Sequence, residues 1–163
     1  MDSQSVRSSE AGRGRSYDAG KRVNGCKRMT AVDTEGNLLA VQITGGVISE
    51  TAGGTDLLGE LSEQFPDLRQ VWCDQGFRRS FTDRAAELGI TATVISRRPG
   101  SVGFHVLPRR WVVERFFAWI SRARRLARDF ERLMGTAITV VEVAYVRMTL
   151  RRLTRTAQPS AHI

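Results

Sequence analysis

Glu114 is the only carboxylate among six arginines between Leu107 and Leu126. The spacing of Val112, Phe116, Trp119, Ile120, Ala123, Ala127 and Phe130 predicts the apolar face of one helix running from Arg109 to about Leu133. Pro108 suits its first turn, where a missing N–H costs nothing. Arg110, Glu114, Ser121 and Arg125 would share another face. Two chemistries fit a lone carboxylate there. One is a surface ion pair with Arg110, worth roughly 0.2–0.5 kcal/mol. The other is a metal-binding carboxylate beside a cationic track for DNA. Taken alone, the ion pair is the default reading.

Asp74 is the next candidate. It follows Val71-Trp72-Cys73, a run that reads as a buried strand, and Gly76 comes two residues later. Sites in open α/β sheets form beyond the carboxyl ends of strands, although an ordinary turn aspartate fits as well. Asp33 lies in a hairpin turn, where aspartate bonds its own backbone. Asp2, considered alone, carries no signal, because chain ends are commonly frayed.

Other chemistries lack their residues. His105 and His162 have no partner pattern, and Cys26 and Cys73 have neither metal-ligand spacing nor the number for a disulfide framework. There is no glycine-rich phosphate loop with its lysine and no G-x-S-x-G elbow. Any catalysis would fall to carboxylates holding Mg²⁺ through oxygen.

The elements that must position these groups can be read in order. Residues 1–24 are rich in serine and glycine and read as a loop or frayed end. Met29 to Val32 and Leu38 to Ile43 flank turn chemistry at Asp33 to Asn37, which predicts a hairpin ended by Gly45-Gly46. Thr55 to Phe65 is a predicted helix with Leu57, Leu58, Leu61 and Phe65 on one side, stopped by Pro66. Arg69 to Cys73 is a strand. Ser80 and Asp83 suggest the cap of a helix ending near Gly89. Ile90 to Ile95 is a further strand, and Arg97 to Gly103 a loop. After the arginine-rich helix, Gly135-Thr136 reads as a break. Ala137 to Leu153 is a last helix, packing Val140, Val141, Val143, Ala144 and Met148 inward. The order predicts an α/β fold, a mixed sheet flanked by helices.

At 163 residues and 41% apolar content, the chain can bury one real core. No apolar run approaches the roughly 20 residues of a membrane span, and no signal-peptide pattern is present, so a cytoplasmic setting is expected. The net charge of +8 is unevenly placed. From Arg97 to Arg155, fourteen arginines face four acidic residues, which is more than the whole excess. That suggests a footprint for a polyanion, nucleic acid ahead of an anionic membrane. A solvated arginine-rich helix surface is the plainer alternative.

Six segments follow one another in an informative order: Asp2 to Val6, Tyr17 to Lys21, Gly25 to Arg28, Val32 to Thr34, Trp72 to Phe77, and Pro108 to Trp119. From Asp2 to about Arg152 the chain resembles bacterial insertion-sequence transposases of the DDE superfamily, in the insertion-sequence-five grouping. The resemblance implies an RNase H-like mixed sheet, as a catalytic domain over residues 25–155. A polar segment with the first acidic motif (1–24) precedes it, and a tail (156–163) follows. It implies Asp2, Asp74 and Glu114 as catalytic and metal-binding residues. They would hold two Mg²⁺ or Mn²⁺ ions about 4 Å apart for strand cleavage and transfer. It implies double-stranded DNA as partner, at insertion-sequence ends and target, with a homodimer in a synaptic complex as an open arrangement and a nucleoid-associated location. Arg109, Arg110, Arg115, Arg122 and Arg125 would meet DNA phosphate.

The chain departs from the family pattern at several places. Leu107 stands at the family's tyrosine, Ser121 at its lysine with Arg122 adjacent, Met29 at its frequent histidine and Glu50 at its frequent aspartate. Members also carry a helical region and a strand ahead of the first aspartate, so a truncated transposase with its first strand largely missing is expected, with Asp2 hanging from a free end. Two functions then compete: a DDE catalytic domain with catalysis impaired, or a non-catalytic DNA-binding remnant or regulator. A basic structural or RNA-binding protein has only the net charge behind it.

Overall fold

The computed structural model describes residues 1–9, 14–77, 79–96 and 109–156. Strands β1 (Asp2–Arg7), β2 (Ser16–Asp18), β3 (Val23–Val32) and β4 (Leu38–Gly45) come first. Helix α1 (Glu50–Gln64), strand β5 (Gln70–Cys73), helix α2 (Arg79–Glu87) and strand β6 (Thr91–Val94) follow. Helix α3 (Arg110–Ile120), a single 3₁₀ turn (Arg124–Leu126) and helix α4 (Met134–Thr156) complete the described chain.

β3 is the central strand. β1 pairs along one edge, from Asp2 opposite Thr30 to Arg7 opposite Gly25. β4 pairs antiparallel along the other, and β2 continues that edge past its end. Covered on both edges and both faces, β3 is buried over most of its length, including Lys27 and Arg28. Both cations are satisfied, as buried charges must be. Lys27 donates to the Ile48 carbonyl at 2.8 Å and Arg28 to the Leu126 carbonyl at 3.0 Å. The predicted hairpin is present: Asp33 accepts from the Glu35 and Asn37 amides at 2.8 Å, and Gly36 takes φ 92°.

Strand alternation sends side chains to two cores. Met29, Ala31 and Ala40 meet Leu57, Leu58 and Leu61 of α1, Phe81 and Ala85 of α2, and Val71 of β5. Val6, Cys26, Val41 and Ile43 meet Val113, Phe116, Phe117 and Ile120 of α3 and Ala137 and Val141 of α4. The result is a layer of helices on each face of a sheet.

Several expectations are corrected. Residues 1–24 are not a frayed loop within the described part. β1 is polar in sequence, with only Val6 in the apolar core, but backbone pairing to β3 does not require apolar side chains. α1 begins at Glu50, capped by Ser49 accepting from the Ala52 amide at 3.1 Å, five residues before the predicted start. Ser80 lies inside α2 rather than at its cap. The long helix ends at Ile120. The chain then turns through Ser121 and the 3₁₀ segment, so Ser121 and Arg125 do not continue the Arg110–Glu114 face. Phe130, at 48% exposure, and Ala127 fall outside the core. Trp119 is only half-buried, and what covers its ring includes the guanidinium groups of Arg115 and Arg152 rather than the apolar core alone. Gly135 and Thr136 lie within α4, and Val143 faces outward.

The expected single mixed sheet is two: a four-stranded antiparallel sheet, and β5 pairing parallel with β6. β1 has Asp2 as its first paired residue, opposite Thr30. One bond joins the two sheets there, from the Met1 ammonium to the Trp72 carbonyl at 2.6 Å. The loop expected over Arg97 to Gly103, together with Leu107, Pro108, His105 and His162, lies outside the described residues.

Candidate functional site

Asp2 opens β1 on the face that carries Val6, which is the α3 side. It is 8% exposed and accepts from the Ser3 amide at 2.7 Å. The free end expected there is anchored, since the ammonium of Met1 is buried against β5. Burial lowers the ammonium pKa, and the Asp2, Cys73 and Asp74 charges pull it back. Asp74 follows β5 directly, where its Oδ1 accepts from the Gly76 amide at 2.8 Å. Glu114 projects from the second turn of α3 and its side chain is about half exposed.

Arg110 gathers two of these groups, Asp74 and Glu114. Its Nε lies 3.0 Å from Glu114 Oε1, and its Nη2 lies 3.7 Å from Asp74 Oδ2. Asp2 is raised to about pKa 6, first by burial and then by the Asp74 charge; the Ser3 amide, Arg110 and the Met1 ammonium oppose the rise. Asp2 and Asp74 therefore feel one another, with a guanidinium as the shared counter-charge. The plain i,i+4 ion pair is present, and the same guanidinium brings Asp74 at the end of β5 together with Glu114 of α3, while Asp2 of β1 feels the charges of Asp74 and Arg110.

Asp33 holds the hairpin, its carboxyl kept below the usual range against burial by bonds from Asn37, Glu35 and Gly36. Cys26 and Cys73 are free and buried, and burial lifts their thiols to about 12 and 11. Neither is poised as a nucleophile.

The arginines divide. Arg109 caps α3 with φ 71° and its guanidinium lies 4.9 Å from the Trp72 ring. Arg115 lies 4.2 Å from Trp111 and 4.6 Å from Trp119, while Arg152 covers Trp119 at 3.9 Å. This alternation of tryptophan and arginine across α3 and α4 was not foreseen. The missed signal was Trp111, Arg115 and Trp119 at steps of four. Arg122 is exposed. Arg125 is bidentate on Glu131, at 2.7 and 3.1 Å.

A family described as Transposase DDE domain matches residues 1–144. The chain belongs to the DDE transposase family. A Burkholderia cepacia protein named as a transposase for insertion sequence element IS402 is 32% identical over 124 residues, which cover 66% of this chain and 54% of that protein. The chain thus spans about half the length of this relative. No solved structure matches it.

Members of the DDE transposase family generally use a divalent metal. Among the described residues, no group of three or more histidine, cysteine, aspartate or glutamate side chains stands ready to hold one. The donor chemistry nonetheless fits. All three candidates are carboxylates, the ligands hard cations take, and the guanidinium of Arg110 already stands in as the cation between two of them. No helix among the described residues is long and apolar enough to cross a membrane.

Proposed function

We propose that this chain is the catalytic domain of an insertion-sequence transposase, of RNase H-like architecture, acting on DNA strands at element ends. One observation supports the reading: Asp74 and Glu114, from separate elements, share Arg110, and Asp2 feels the charges of Asp74 and Arg110. These carboxylates would hold Mg²⁺ or Mn²⁺, which when bound activates a water or a DNA 3′-hydroxyl and stabilises the leaving oxygen.

The chain's own residues supply the rest. Burial of Asp2 disfavours its charge until a cation is near. Arg110 neutralises Asp74 and Glu114, keeping a cluster of carboxylates from repelling the phosphate backbone. The Trp111–Arg115–Trp119–Arg152 ladder holds cations on flat aromatic supports, and with Arg109 and Arg122 it supports a phosphate-binding face. Nucleoid association and pairing of two copies belong to the same reading.

The test is Mg²⁺- or Mn²⁺-dependent nicking or strand transfer on DNA carrying the element's ends. Activity should exceed that of an Asp74→Asn, Glu114→Gln double variant. Equal activity in the two sinks the enzyme reading. A second reading, DNA binding without cleavage, is favoured by the direct closure of Glu114 by Arg110 at 3.0 Å. Salt-sensitive binding with no cleavage would support it.

A further inference from the structure

Glu50 begins α1, on the opposite face of the sheet from Glu114, and the chemistry assigned so far does not use it. Its carboxylate nevertheless touches the supports of both aspartates. Oε1 accepts from Ser3 Oγ at 2.7 Å. Ser3 is the residue after Asp2, and its amide is the donor to Asp2 Oδ1 at 2.7 Å. Oε2 lies against Gly76, so closely that a Cβ at that position would overlap it. Gly76 in turn donates its amide to Asp74 Oδ1 at 2.8 Å. The neighbouring Thr51 hydroxyl donates to the Gly76 carbonyl at 3.1 Å. The first turn of α1 therefore grips the start of β1 and the turn after β5. These two segments belong to different sheets, which the Met1–Trp72 bond and a shared apolar core also join.

We infer that Glu50 is a positioning residue: through Ser3 and Gly76 it fixes the spacing between the Asp2 and Asp74 carboxylates. Glu50 acts as a hydrogen-bond acceptor and packing element across the split between the sheets, not as a ligand. A side chain at position 76 would displace the Glu50 carboxylate from this contact. The inference rests on the metal-dependent reading above only for its consequence, because the brace itself can be measured without metal.

The experiment uses the full chain with Glu50→Ala and Glu50→Gln variants. Amide hydrogen exchange is followed at Ser3 and Gly76 with no metal present, and Mn²⁺ binding is followed by electron paramagnetic resonance. Glu50→Ala should speed exchange at both amides about tenfold while core amides of β3 keep their protection. It should also weaken Mn²⁺ binding about tenfold, the lower end of what groups supporting metal ligands contribute. Glu50→Gln keeps an acceptor for Ser3 Oγ and should stay within about threefold of wild type on both readouts. Unchanged exchange in Glu50→Ala overturns the inference. Glu50→Gln losing Mn²⁺ as fully as Glu50→Ala also overturns it, since Glu50 would then act through its charge as a ligand. If wild type binds no Mn²⁺ while Glu50→Ala still loosens both amides, the metal reading fails and the brace stands.

Discussion

Arg110 reaches Asp74 across the gap between α3 and the end of β5, with 3.7 Å between their charged atoms, and the same guanidinium closes on Glu114 at 3.0 Å. One arginine thus stands where carboxylates from separate elements need a cation. Replacing it with alanine leaves them to repel one another. The pairs are partly exposed, so the expected loss at neutral pH is modest, about 0.5–1 kcal/mol. Thermal melts of Arg110→Ala with and without Mn²⁺ check this. Mn²⁺ should restore stability to the variant more than it adds to wild type. Equal gains in both would separate Arg110 from the cation site.

Asp2 makes stability depend on pH with a definite sign. Its carboxyl is raised from 3.8 to about 6, so the folded chain prefers the protonated form. Below the ordinary value it is protonated in both states, and the contribution is fully present. As pH rises through about 6 that contribution is lost. A shift of about two units corresponds to at most roughly 3 kcal/mol. Asp2→Asn, which keeps an acceptor for the Ser3 amide, should match wild type near pH 4 and be the more stable protein above pH 7. Urea denaturation across that range decides; a constant difference between the two proteins would contradict the burial argument.

Asp18 runs the other way. It is buried beside Lys27 at 3.3 Å and accepts from Ser5 Oγ at 2.6 Å. Burial pushes its carboxyl up, but the Ser5, Lys21 and Lys27 partners prevail and hold it below the usual range. Its contribution is present above the unfolded value and lost as pH falls through the folded one. Asp18→Asn strands a buried ammonium, so a loss of about 3 kcal/mol is expected at pH 7, shrinking in acid. Parallel pH profiles for variant and wild type would contradict it.

Arg122 and Arg125 should differ in DNA binding although both stand just past α3. Arg125 is already bidentate on Glu131. Arg122→Ala should reduce the slope of log affinity against log salt by about one, whereas Arg125→Ala should change it less. Fluorescence anisotropy on duplex DNA over a salt series measures both slopes. Equal effects would mean the Glu131 pair opens on binding.

Gly76→Ala should destabilise the chain through Glu50, whose carboxylate occupies the space of the added carbon. In a Glu50→Ala background the cost should fall, giving a coupling of about 0.5–3 kcal/mol in a double-mutant cycle. Additive losses would place the clash elsewhere, with Asp74 Oδ1, 3.0 Å from that carbon, as the remaining contact.

Local pattern alone determined much of this protein. The Asp33–Asn37 hairpin, the Leu57/Leu58/Leu61 helix, the short strands before Asp74 and after Gly89, and the order of acidic motifs all follow from residue type and period. These features depend on neighbours within one turn or one hairpin. What the sequence alone left undecided depends on long-range partners. The polar run Asp2–Arg7 is a strand only because β3 offers it an edge. The basic helix stops at Ile120 because the chain must turn there to lay Leu126 and α4 onto the same core as Phe116. In one dimension Glu50 stands only at a family position that is often aspartate, with no partner named, yet it lies 2.7 Å from a residue 47 positions away. Composition places the arginines, but only packing decides which of them a carboxylate already holds.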